Sequence, residues 1–75
     1  MFITISHHST GATIYETKCP AHLRVATRGA QLGWAVRQAA ERGIGLPNAD
    51  LTGAVLLDAR LRGIDLTGAD LTGAG

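Results

Sequence analysis

The sequence predicts a mainly β protein with one helix: an N-terminal β-hairpin or three-stranded sheet, one α-helix, and then chain that turns a corner every five residues. Three observations carry this prediction. Leucine recurs at intervals of five from Leu46 to Leu71, two β-rich runs flank a glycine-containing turn near the N-terminus, and a single segment between these parts has helical apolar spacing.

The β-rich runs are Phe2 to Ser6 and Ala12 to Thr17, joined by His-His-Ser-Thr-Gly, with Gly11 free to take positive φ in a hairpin turn. After Pro20 the run from His22 to Arg28 alternates, with Leu23 and Val25 on one face and His22, Arg24 and Arg28 on the other. That pattern suggests a third strand with a basic face. From Ala30 to Arg42 the apolar residues Leu32, Ala35, Val36 and Ala39 follow the i, i+3, i+4, i+7 spacing, and Gly43 is a stop just beyond.

The repeat is the strongest signal. Leu46, Leu51, Leu56, Leu61, Leu66 and Leu71 are each preceded, two residues earlier, by a small or aliphatic residue: Ile44, Ala49, Ala54, Ala59, Ile64 and Ala69. Glycine follows two residues later at Gly53, Gly63, Gly68 and Gly73. A period of five fits neither a helix nor a flat strand. Two apolar residues per unit, one residue apart, point to the same side of a short extended segment while the Thr-Gly pair takes the turn. The expected result is a solenoid with Leu51, Leu61, Leu66 and Leu71 buried in one continuous core with Ala49, Ala59 and Ala69.

These residues resemble the pentapeptide-repeat family, whose pattern is Ala-(Asp/Asn)-Leu-x-x; Ala49-Asp50-Leu51-Thr52-Gly53 and Ala69-Asp70-Leu71-Thr72-Gly73 match it fully. The resemblance implies a short right-handed quadrilateral β-helix, four units to a coil, over residues 46–75, with residues 1–45 as a sheet-plus-helix cap packed against it in one domain. Ile44 and Ile64, 20 residues apart, should then stack on successive coils. Val55 and Arg60 depart from the pattern at the Asp/Asn site, and Gly45 and Pro47 make the first unit irregular. The spelling Leu32-x-x-Ala35-Val36-x-x-Ala39-x-x-x-Gly43-x-x-Leu46 is similar to the helical lead-in of short pentapeptide-repeat proteins of phages and prophages.

Composition narrows function. At 75 residues the chain is one domain with a marginal core, so function belongs on its surface. Net charge is +1, with basic residues prevailing before Leu46 and acidic ones after it, which is too little to demand direct nucleic-acid binding. Cys19 stands alone, no signal peptide opens the chain and no apolar run reaches membrane-spanning length, so the expected setting is the cytoplasm of a bacterial host cell, without membrane contact.

His7, His8, Cys19 and His22 lack structural zinc spacing. No nucleophile motif, phosphate loop or convincing carboxylate pair is present, so the expectation is a non-enzyme with no cofactor, no metal and no catalytic residue. The surface offers three candidates for partner binding. The first is the outward carboxylates Asp65 and Asp70, with Leu71, at an open solenoid end that nothing in the repeat caps. The second is Trp34 with Arg37 on the helix, either covered by the sheet or an exposed anchor. The third is Arg24 and Arg28.

Resemblance and size together imply a phage-encoded, stoichiometric inhibitor of a bacterial nucleic-acid machine, of anti-CRISPR type, with a CRISPR–Cas effector complex as its protein partner. The alternatives are a structural or oligomerisation module, as an accessory phage part or the N-terminal piece of a longer solenoid, with a homodimer through the C-terminal solenoid end as a further partner arrangement, and a gyrase-type DNA mimic built on the carboxylate row, which Arg60 and Arg62 interrupt.

Overall fold

The computed structural model describes residues 1–57 and 59–75. Strands β1 (Phe2–Ser6) and β2 (Thr13–Lys18) pair antiparallel, with Ile3 opposite Thr17 and Ile5 opposite Tyr15, and the register shifts between Ile5 and Ser6. Alternation does the sorting: Ile3, Ile5, Tyr15 and Thr17 turn to the core while Thr4 and Glu16 pair on the outer face. The connecting turn closes through His7 N–H to Ala12 O at 2.8 Å, with Gly11 at φ 77°.

The sheet has two strands, and the expected third strand at His22–Arg28 does not form. A 3-10 turn runs from Ala21 to Leu23 instead, and successive i to i+3 bonds continue it: Leu23 N–H to Pro20 O, Arg24 N–H to Ala21 O and Ala26 N–H to Leu23 O. These local bonds use the groups a ladder needs, and Thr27 opens the helix too soon for a strand to develop. Val25, expected to share a strand face with Leu23, is 97% exposed while Leu23 packs against the core.

Helix α1 spans Arg28–Glu41, starting two residues before the expected position because Thr27 is its N-cap, its hydroxyl accepting from Ala30 N–H at 3.2 Å. Its end follows expectation. Gly43 at φ 69° supports a Schellman arrangement in which Gly43 N–H reaches Ala40 O and Ile44 N–H reaches Ala39 O at 2.9 Å. Leu32, Ala35, Val36 and Ala39 are buried, forming the stripe read from the sequence.

Beyond α1 the chain makes a regular series of turns. The leucine carbonyl of each unit accepts from the N–H three residues on, as in Ala54 to Leu51 at 3.0 Å, Ile64 to Leu61 at 3.1 Å, Ala69 to Leu66 at 3.0 Å and Ala74 to Leu71 at 2.9 Å. The third residue of such a turn has positive φ: Gly53, Gly63, Gly68 and Gly73 lie between 70° and 79°, and Asn48 takes 59° after Pro47. Glycine is needed there for its φ, and Asn is the usual substitute.

After 20 residues the chain returns over itself. Leu46 N–H bonds to Asp65 O at 2.7 Å, Asn48 to Thr67 at 2.8 Å, Leu51 to Asp70 at 2.9 Å and Gly53 to Thr72 at 2.9 Å, while Asp70 N–H returns to Ala49 O at 2.8 Å. Asp50 and Asp70 form a parallel bridge. Each straight segment between turns is too short for a named strand, so the regular sheet stays two-stranded and the repeat pairs through isolated bridges. Ile44 and Ile64, expected to stack, line one small recess.

The N-terminal part closes the other edge of the first coil. His7 pairs antiparallel with Ala49, through His8 N–H to Asn48 O at 2.9 Å and Asp50 N–H to Ser6 O at 2.7 Å. The core therefore lies between sheet, helix and first coil, and Leu46, Ala49, Leu51 and Ala54 are completely buried in it. The expectation of one continuous core through Leu71 needs correction. Leu61, Leu66 and Ala69 are only partly buried and Leu71 is 41% exposed, because no described residue packs above the second coil.

Candidate functional site

The outward carboxylates are built into the turns. Asp50, Asp65 and Asp70 each accept, through Oδ1, the N–H of the threonine two residues on, at 3.1, 2.9 and 3.0 Å, and the Thr72 hydroxyl donates to Asp70 at 2.6 Å. Short aspartates favour this Asx geometry, which supplies the corner with a hydrogen bond the backbone lacks. All three carboxyls are held below the usual carboxylate range, first by the threonine hydroxyl and then by its backbone N–H. Asp50 is also pushed up by the facing Asp70 charge and pulled down by Arg28, and His8 lowers Asp70. These groups are ionised at neutral pH, and their place in the turns is sufficient reason for their presence.

Of the other sequence-predicted residues, Arg28 opens α1 on the side of the Asp50 carboxylate rather than lying on a strand face with His22. Arg24 is exposed at the end of the 3-10 turn. Trp34 is half-buried and packs against the core, so it is neither covered nor a free anchor. Arg37 reaches across to the repeat and donates through Nη2 to Leu57 O at 2.9 Å. At the far end, Leu66 and Leu71 N–H make no backbone bond to another described residue, unlike Leu46 and Leu51 one coil earlier. The structure brings Asp70 and Leu71 together with Asp65 on this outer coil and places Trp34, Arg37 and Arg24 elsewhere.

Helix and coil meet backbone to backbone. Val55 N–H bonds to Gly29 O at 2.9 Å, and a Cβ on Gly29 or Gly33 would overlap the carbonyl oxygens of Gly53 and Val55 respectively. The two glycines, one helical turn apart, let α1 lie directly on the repeat. Arg37 thereby meets the repeat at the Leu57 carbonyl and lines a recess with Arg60, a meeting that reading Val55 and Arg60 merely as departures from the repeat overlooks. The readable signal is that outward positions change character there and nowhere else after Leu46 apart from the irregular first unit.

Among the described residues no three of His, Cys, Asp and Glu come together to hold a metal ion, and no helix is long and apolar enough to cross a membrane. His7 Nδ1 accepts from the N–H groups of Ser9 and Thr10 at 3.0 and 3.3 Å, which places it in the hairpin turn.

The decisive observation is the five-residue turn with a 20-residue return, and it has a counterpart among known families. Residues 46–74 match the family described as pentapeptide repeats (8 copies). The chain thus carries pentapeptide repeats over its C-terminal part. Neither the curated proteins nor the solved structures gave a match.

Proposed function

We propose that this pentapeptide-repeat chain is a non-enzymatic binding protein, its repeat wound as a short right-handed quadrilateral β-helix, that inhibits a bacterial nucleic-acid machine stoichiometrically. The observation that supports a binding role is how residues 1–45 are used. The end of β1 and helix α1 both bond to the first coil, through Asp50 N–H to Ser6 O and Val55 N–H to Gly29 O, and so cover one end of the repeat. The outward faces and the far end are left for a partner. A phage-encoded, anti-CRISPR-type protein acting on a CRISPR–Cas effector complex is the case that size and resemblance favour.

The test is plasmid interference. Expression of the chain in bacteria with an active CRISPR–Cas system should restore transformation by a targeted plasmid, with no effect on an untargeted one. Unchanged interference across the major effector types overturns the reading. DNA gyrase supercoiling assayed alongside tests the duplex-mimic alternative; the Asx bonds that tie the carboxylates to the turns weigh against it.

The open end favours one further reading, an oligomerisation module. Leu71 is 41% exposed beside half-buried Asp70, and a second copy seated there would continue the ladder. Leu71→Asp should then lower the mass seen by light scattering. An unchanged mass, or a wild-type chain that is already monomeric, rules that reading out.

A further inference from the structure

Each unit of the repeat has two outward positions, one after the small residue and one after the leucine. In three units these hold Asp50 and Thr52, Asp65 and Thr67, and Asp70 and Thr72, pairs joined by hydrogen bonds. In the two consecutive units between Ala54 and Gly63 they hold Val55, Leu57, Arg60 and Arg62. The winding does not ask for these side chains. The inward positions there are Ala54, Leu56, Ala59 and Leu61, which are buried or half-buried.

Val55 and Leu57 are 41% and 69% exposed and, two residues apart on an extended segment, face the same way. One exposed leucine needs no explanation. Here Arg37 is anchored to the Leu57 carbonyl and brings its guanidinium from the helix to this stretch of the repeat, where it shares a recess with Arg60. Arg37, Glu41, Ala59 and Arg60 line an open recess of about 440 Å³, and Arg60, Leu61 and Arg62 line another of about 540 Å³. Arg60 belongs to both. Arginine is among the residues enriched at interfaces, since it offers a charge, a planar guanidinium and an apolar stem for contact.

We propose that this face, Val55 and Leu57 with Arg37, Arg60 and Arg62, docks an acidic, aliphatic segment of a partner protein. The inference rests on the binding-module reading and names the surface that performs it. Charge and chemistry favour a protein over the other occupants. Glu41 lies in the recess with Arg37 and Arg60, and three arginines are few for a phosphate backbone, whose binding is built from many cationic contacts. A second copy offers a single exposed leucine, Leu71, beside Asp70 at its far end, against the two aliphatic side chains Val55 and Leu57.

The experiment selects a displayed random peptide library against the immobilised full chain. Enriched peptides should combine Asp or Glu with Leu, Ile or Val, and should lose on the order of tenfold or more in affinity to Leu57→Ser and to Arg60→Glu. Both positions are exposed, so circular dichroism should stay wild type. Leu71→Asp should bind these peptides normally. The surface is overturned if nothing is enriched, if the peptides are basic or indifferent to both variants, if a duplex oligonucleotide binds with the same sensitivity to them, or if Arg60→Glu dissolves a wild-type homodimer. The two readings fail separately. Unrestored plasmid transformation removes the inhibitor function and leaves this surface, whereas peptide binding indifferent to Leu57 and Arg60 removes this surface and leaves the inhibitor.

Discussion

Gly33 in the middle of α1 and Val55 in the repeat touch through their backbones, so closely that a Cβ on Gly33 would overlap the Val55 carbonyl oxygen. A glycine inside a helix ordinarily costs about 0.5–1 kcal/mol relative to alanine. Here the contact reverses that balance.

Gly33→Ala should therefore destabilise the protein by about 1–3 kcal/mol, the usual cost of forcing extra atoms into a packed site, despite the gain in helix propensity. Denaturant unfolding of the two proteins measures it. Stability equal to or above wild type would mean that α1 does not lie on the repeat at this distance.

Burial along the leucine ladder falls from one coil to the next, and stability losses should follow it. Leu51 is completely buried, so Leu51→Ala should cost about 2–5 kcal/mol through the transfer and cavity terms. Leu71 is 41% exposed, and Leu71→Ala should cost less than about 1 kcal/mol. Equal losses would mean that something covers the far end in solution.

The repeat register was readable because its constraint is local: only a small residue, a leucine and a positive-φ residue at fixed spacing allow the turn, and Asn48 at φ 59° shows the rule holding even in the irregular first unit. The helix stripe was readable for the same reason. Alternation from His22 to Arg28 misled because a period of two says nothing of whether an edge is free to receive a strand, and local i to i+3 bonds took the groups first. Of the candidate surface, Arg37 was legible as a polar-face residue of the helix. Its meeting with Leu57 and Arg60 depends on Gly29 and Gly33 letting the helix down onto the coil, a long-range contact that neither segment spells alone.

Tyr15 is buried, and its hydroxyl has no hydrogen-bond partner among the described residues. Such a group forfeits its hydration without replacement, a penalty of about 1–3 kcal/mol. Tyr15→Phe keeps the ring and removes the penalty, so the melting temperature should rise. A fall would show that the hydroxyl is bonded in solution.

The last prediction concerns acid. Asp50, Asp65 and Asp70 are held below the ordinary value of 3.8 by bonds from Thr52, Thr67 and Thr72 that exist only in the folded chain. A carboxyl whose folded pKa is depressed stabilises the fold above its unfolded pKa and ceases to do so as the pH falls through the folded value. The melting temperature should thus be insensitive to these groups at neutral pH and fall as the pH drops below about 4. Replacing all three by Asn separates charge from geometry, since the Asn side-chain carbonyl can accept the same threonine N–H without titrating. The triple variant should remain folded at pH 7 and lose less stability than wild type on acidification. If both proteins follow the same acid profile, the Asp-Thr bonds are not what couples the repeat to pH.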